Sequence, residues 1–187
     1  MKRLFIGIPI NSPNSVQQIE LWKKNASLNR NVLNWTIFGN WHVTLFFLGS
    51  TEETKVLLLQ QLIEESFLEA QAYHAELIGV GVFPNSNNPK VLWLGLEDLQ
   101  PILSAYSQLG ELLLQNGFSF DQKPLKPHLT IARVKRTDHP SAFQSLMDKY
   151  QETVFDRIEI KSVALFESTS TSDGPVYKPL CVKQLIC

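Results

Sequence analysis

Short apolar runs and helical stripes alternate along the chain. Residues 3–10 are almost wholly apolar and stop at the polar Asn11–Asn14, which predicts a buried strand. Ser12-Pro13 is a helix-start signal, and Val16, Ile19, Leu21 and Trp22 supply an apolar stripe for a helix from Pro13 to about Leu28. Asn29–Asn34 reads as a turn. Residues 41–48 form a strong strand pattern stopped by Gly49-Ser50, and Ser50 or Thr51 is placed to cap a second helix running to about Ala70. Residues 73–83 and 90–97 read as two strands joined through the polar Pro84–Pro89 loop. Leu103, Tyr106, Leu109, Leu112 and Leu113 mark a helix from Leu99 to Gln115, ended by Asn116-Gly117. Residues 118–121 and 126–135 read as extended, 139–151 as a short helix, and 153–167 and 178–186 as strands around a polar Ser168–Gly174 loop.

That order holds a faint repeat. Strand, helix, strand containing His-x-Thr, helix occurs once in each half, and the histidines, His42 and His128, lie 86 positions apart. Hairpins placed between helices favour an α+β fold with antiparallel sheets over a doubly wound parallel one.

Composition narrows the function classes. The chain has 187 residues, 44% apolar and 19% charged, enough for one domain or two small lobes with a sizeable core. A net charge of −1 excludes polyanion binding by bulk charge, so any nucleic-acid contact needs a local patch. Cys181 and Cys187 match neither zinc-ligand nor redox spacing. The apolar start is too short for a signal peptide and contains Pro9, and no stretch approaches a membrane span. The expectation is a soluble cytoplasmic protein.

The two candidate strands are Trp41-His42-Val43-Thr44-Leu45-Phe46-Phe47-Leu48 and Pro127-His128-Leu129-Thr130-Ile131-Ala132-Arg133-Val134. Side chains alternate along a strand, so His42 and Thr44 share one face, as do His128 and Thr130. Val43, Leu45, Leu129 and Ile131 face the other way, toward a core. Two imidazoles and two hydroxyls suit attack at phosphorus. A neutral imidazole can take a proton from water, a protonated one can give a proton to a departing oxygen, and hydroxyls can hold phosphoryl oxygens. The alternative is two half-buried sheet histidines with threonine as an ordinary strand residue.

The residues around these motifs resemble the two-histidine phosphoesterase superfamily, and within it the RNA 2′,3′-cyclic phosphodiesterase family, also called 2′-5′ RNA ligase. Arg3-Leu-Phe-Ile-Gly-Ile8 resembles the first strand of that family, His42-Val-Thr-Leu-Phe-Phe-Leu-Gly49 its first motif, and Lys126-Pro-His-Leu-Thr-Ile-Ala-Arg133 its second. Gly81-Val-Phe-Pro84 with Val91-Leu-Trp-Leu-Gly95 is similar to its central hairpin, and Tyr177-Lys-Pro-Leu180 to its closing strand. The resemblance implies one domain over residues 1–187, made of two pseudo-twofold-related lobes, each an antiparallel sheet flanked by helices, with the active site in the cleft between them. It implies hydrolysis of RNA 2′,3′-cyclic phosphate ends to 2′-phosphate without metal or cofactor, His42 acting as acid and His128 as base, with reversible 2′-5′ ligation as a further activity. The implied partner is an RNA bearing a 2′,3′-cyclic phosphate, and the chain is expected to act as a monomer.

Around this pair, Thr44, Thr130, Arg133 and Phe46 are the candidate substrate-binding residues. Strict alternation would turn Arg133 away from His128, so a bulge or twist must re-aim it. Phe46 shares the His42 face by alternation and could stack a base; Phe5 and Tyr177 are weaker candidates of that kind. Lys123, Lys126, Arg133, Lys135 and Arg136 form the densest basic cluster. His74 and His139 lack a threonine partner and read as surface or structural residues. No Cys, Asp or Glu lies at ligand spacing beside His42 or His128, so no metal site is expected. The competing functions are action on a small nucleotide-derived cyclic phosphate or a 2′-5′ linkage, and RNA-end binding without turnover.

Overall fold

The computed structural model describes residues 1–25, 28, 31–171 and 174–187. Its strands are β1 Lys2–Pro9, β2 Val32–Trp35, β3 His42–Thr51, β4 Tyr73–Phe83, β5 Val91–Glu97, β6 His128–Arg136, β7 Val154–Ile160, β8 Ser162–Thr171 and β9 Gly174–Gln184. Its α-helices are α1 Pro13–Lys23, α2 Val56–Ser66, α3 Leu103–Gln115 and α4 Ser141–Tyr150.

The strands form one antiparallel sheet in the order β7-β4-β5-β6-β3-β1-β8-β9, with β2 added beside β6. The path is palindromic about its middle. β6 and β3, the two His-x-Thr strands, lie at the centre and are joined through the pair Val43↔Leu129, both fully buried. On one side β5, β4 and β7 follow; on the other β1, β8 and β9. The expected two lobes are therefore two halves of one sheet.

The helices knit the halves together. α1 leaves β1 of one half but packs on β7 of the other, where Asp156 accepts hydrogen bonds from Ser12 (2.6 Å) and Asn14 (2.8 Å). α3 leaves β5 and crosses the opposite way to pack on α2, bringing Tyr106 onto Phe46 at 4.6 Å between rings. Each half thus lends a helix to its counterpart, and one continuous buried core spans both. A fold built on such exchange cannot lose one half without exposing the other.

Several boundaries differ from the sequence reading for identifiable reasons. Gly49 does not stop β3; an extra residue at Leu48 is bulged out, and pairing continues through Arg3↔Ser50 and Lys2↔Thr51. Ser50 and Thr51 are therefore strand residues rather than helix caps, and α2 begins after a 3₁₀ turn, Glu53–Lys55. The segment 153–167 is two strands. The chain switches halves at Lys161, β7 pairing with β4 and β8 with β1. The polar Ser168–Gly174 segment mostly extends the β8–β9 hairpin, with Thr171↔Gly174 paired; Ser172 and Asp173 lie outside the described residues. Part of the 29–34 turn is strand β2, while Asn29 and Arg30 lie outside the described residues, as do Ala26 and Ser27 in the segment read as the end of the first helix. Residues 118–121 join no strand.

Because Leu129 closes the seam against Val43, Leu129→Ala is expected to cost about 2–5 kcal/mol, as for other buried Leu truncations. Urea unfolding measures this, and a loss below about 1 kcal/mol would contradict the seam as a packed junction.

Candidate functional site

Each central strand carries its motif on the same local device. Along β3, Gly7 of β1 pairs with Thr44 and Ile6 with Phe46, so Leu45 is the extra residue of a bulge. Along β6, Trp93 of β5 pairs with Thr130 and Leu92 with Ala132, so Ile131 is extra at the equivalent place. Both strands consequently show the same burial sequence: His and Thr half-buried, the residues between and after them buried, and the fifth residue past the histidine exposed. A bulge inserts one residue and reverses the alternation beyond it. The re-aiming that Arg133 required is supplied in this way, and Arg133 lines the cleft with His128 and Thr130.

The same geometry corrects the expectation for Phe46. It lies before the alternation is restored, is 2% exposed, and packs against Tyr106 and Phe120 under α3. Phe47, 45% exposed, takes the cleft position equivalent to Arg133. Alternation read without the bulge selects the wrong one of two adjacent phenylalanines.

The imidazoles are held alike. Nδ1 of His42 lies 2.7 Å from the Asn40 carbonyl oxygen, and Nδ1 of His128 2.7 Å from the Lys126 carbonyl oxygen. A carbonyl oxygen only accepts, so both Nδ1 atoms donate, and each Nε2 is the atom left to carry or release the exchangeable proton. The intervening residue is pinned too: Ile10 N–H donates to the Trp41 carbonyl at 2.9 Å and Leu96 N–H to the Pro127 carbonyl at 3.1 Å. Aromatic rings support both imidazoles. Phe5 lies 4.6 Å and Tyr177 4.8 Å from the His42 ring, and Phe83 lies 4.9 Å from the His128 ring. The Lys126 ammonium sits over Trp93 (4.7 Å) and Phe83 (5.5 Å).

These surroundings favour neutral imidazoles. Burial, the largest cause, lowers the pKa of His42; the Asn40 bond opposes it, and the charges of His128 and Arg133 lower it further. Burial likewise lowers His128, with the Lys126 charge adding to the effect and the Lys126 carbonyl opposing it. A phosphate anion in the cleft would reverse the balance by favouring imidazolium.

Thr44, Thr130, His42, His128, Arg133 and Phe47 line one cleft of about 310 Å³ at the seam between the half-sheets. The cleft also contains Asn34 and Trp35 of β2, which sequence reasoning missed because that segment read as a turn. The basic cluster is dispersed. Lys123 pairs with Asp121 and Arg136 with Asp138, Lys126 lies over Phe83 and Trp93, and of the five only Arg133 lines the cleft among the described residues. His74 and His139 lie away from the cleft, one at the start of β4 and one before α4. Among the described residues no three His, Cys, Asp or Glu side chains group as metal ligands. No described helix is long and apolar enough to cross a membrane.

Lys126→Met removes a positive charge beside His128 and is expected to raise its pKa toward the unperturbed value of about 6.5. NMR titration of the His128 ring measures this; an unchanged or lowered pKa would contradict the arrangement. Because folding lowers both imidazole pKa values, their contribution to stability is present above about pH 6.5 and lost as pH falls through the folded values.

The family model for the 2′-5′ RNA ligase superfamily matches residues 13–170. An RNA 2′,3′-cyclic phosphodiesterase of Thermotoga maritima is 31% identical over 95% of this chain and 92% of its own. A protein of the same description from Methanocaldococcus jannaschii is 31% identical over 94% of this chain and 96% of its own. The fold is shared with a solved structure from Thermus thermophilus, with a TM-score of 0.81 and 24% identity over 98% of this chain and 97% of that one. With the family model covering most of its length and these relatives aligned nearly end to end, the chain belongs to the 2′-5′ RNA ligase superfamily.

Proposed function

We propose that this chain is an RNA 2′,3′-cyclic phosphodiesterase, hydrolysing the cyclic phosphate at an RNA end to a 2′-phosphate. The observation that carries the reading is the paired presentation of two imidazoles, each with Nδ1 spent on a carbonyl and Nε2 left for chemistry, on equivalent bulged strands in one cleft. The descriptions of the Thermotoga and Methanocaldococcus relatives agree with it.

The chemistry follows from the geometry. Nε2 of neutral His128 takes a proton from water, whose oxygen attacks phosphorus. The bond from phosphorus to O3′ breaks, and Nε2–H of protonated His42 gives its proton to O3′. The products are a 2′-phosphomonoester and a free 3′-hydroxyl. Nearby positive charge favours the neutral form of both imidazoles, Lys126 at His128 and Arg133 at His42, so the assignment of His128 as base and His42 as acid follows the family resemblance. Thr44 and Thr130 donate to the non-bridging oxygens as charge gathers there, and Arg133 offers a guanidinium to the same anion. Phe47 offers the exposed aromatic face that alternation alone assigns to Phe46. The reaction calls on no metal, since base, acid and oxyanion donors all come from side chains. A 5′-hydroxyl in place of water would give a 2′-5′ linkage by the same steps.

Both motifs come from one chain, so residues 1–187 act as one domain and the site is complete in a monomer. Free Cys181 and Cys187 suit a reducing compartment such as the cytoplasm.

The test is incubation of the protein, in EDTA, with a short RNA ending in a 2′,3′-cyclic phosphate. A 2′-phosphate product is expected from wild type, with none from His42→Ala or His128→Ala above about 10⁻² of that rate. A 3′-phosphate product, or activity lost in EDTA and restored by Zn²⁺, contradicts the mechanism. Thr44→Val and Thr130→Val are each expected to lower kcat by up to about 10²–10³-fold, as for lost oxyanion donors; unchanged kcat in both would remove the threonines from the reaction.

A further inference from the structure

The cleft has two branches that share the floor formed by His42, Thr44, Phe47 and Arg133. One runs toward β2, where Asn34 offers an amide and Trp35 an indole. The other, about 300 Å³, runs toward the β8–β9 hairpin and adds Arg3, Ser168 and Ser170. Among the described residues no carboxylate lines this second branch, and its cationic side chains are Arg3 and Arg133.

Arg3 and its neighbour Lys2 are in opposite situations. Lys2 is neutralised by Glu167 at 2.9 Å and Glu53 at 3.6 Å. Arg3 has no carboxylate within 4.0 Å among the described residues; its guanidinium instead lies 5.0 Å over the Phe47 ring. Stacking of this kind aims a guanidinium while leaving its N–H donors free. Among the described residues this branch therefore holds a cation without a carboxylate partner together with two hydroxyls, a set of donors that suits an oxyanion.

A terminal nucleoside 2′,3′-cyclic phosphate has two further substituents on its ribose, the base at C1′ and, at C4′, the C5′ methylene that carries the 5′-oxygen. With the cyclic phosphate on the shared floor, the two diverge. The amide and indole branch suits the base, and the cationic branch suits the phosphate on the 5′-oxygen. We propose that Arg3, with Ser168 and Ser170, forms a subsite for the phosphodiester on the 5′ side of the terminal nucleotide. This rests on the cyclic phosphodiesterase reading of the floor and deepens it: the enzyme distinguishes the end of an RNA chain from a free nucleoside cyclic phosphate by that one phosphate.

The test compares kcat/KM for a nucleoside 2′,3′-cyclic phosphate with that for the same compound carrying a 5′-phosphate methyl ester, which has one negative charge like the RNA diester. In wild type the ratio is expected to be about tenfold or more in favour of the 5′-phosphorylated compound, as for one charge-assisted contact, and to shrink as salt is raised. In Arg3→Gln the ratio is expected to fall close to one, and in Arg3→Lys to recover in part. A wild-type ratio near one, or an undiminished ratio in Arg3→Gln, overturns the subsite while leaving the cyclic phosphodiesterase reading intact. Hydrolysis of neither compound, nor of an RNA cyclic phosphate end, overturns that reading and the subsite with it.

Discussion

The pairing of Val43 with Leu129 is the constraint on which the rest depends. These are the middle residues of the two His-x-Thr motifs, both fully buried, and the residues through which the half-sheets join. Burying the middle residue from each side forces its flanking His and Thr to the opposite face. One apolar contact therefore closes the fold and assembles four polar groups. The bulges at Leu45 and Ile131 then bring one more residue per strand to the same face, and this is where the pseudo-symmetry ends. One strand presents Arg133 and the other Phe47, a cation on one side of the site and an aromatic ring on the other.

The electrostatics follow from the same placement. A site sunk at a seam is partly desolvated, which favours the neutral form of both imidazoles. Neutrality suits a base but not an acid. In the proposed reaction an anionic substrate favours the imidazolium form that the acid needs. Fixing each Nδ1–H on a backbone carbonyl keeps the tautomer independent of that event, since the carbonyl accepts in either protonation state.

Much of this was legible in the sequence. Period-two alternation gave the faces of His42, Thr44, His128 and Thr130, and the recurrence of a strand-borne His-x-Thr gave the pairing. The need for a bulge at Arg133 was legible because alternation alone conflicts with its placement. The corresponding bulge in β3 was not, because Phe46 and Phe47 are the same residue type and either satisfies the pattern. Strand β2 was missed because a short edge segment of Val32-Leu33-Asn34-Trp35 carries too little periodicity to outweigh the polar residues before it. The change of half-sheet at Lys161 left no mark, since strand-forming residues run on either side of it with no Gly, Pro or Asn to signal a turn, and both strands pair antiparallel. The carbonyls of Asn40 and Lys126 are backbone groups, whose roles no side-chain identity discloses. Arg3 stood inside a segment read only as a buried strand.

The most direct test of the account is the pH dependence of kcat/KM for hydrolysis of an RNA 2′,3′-cyclic phosphate end, in wild type and in the residual activities of the two histidine variants. The free enzyme holds both imidazoles below the ordinary histidine value, so the wild-type profile is expected to be a bell centred on the acid side of about pH 6.5. His128→Ala should lose the acid limb and His42→Ala the alkaline limb. A wild-type rate that climbs without a maximum to about pH 9, or variants that keep both limbs, would contradict a paired-imidazole site.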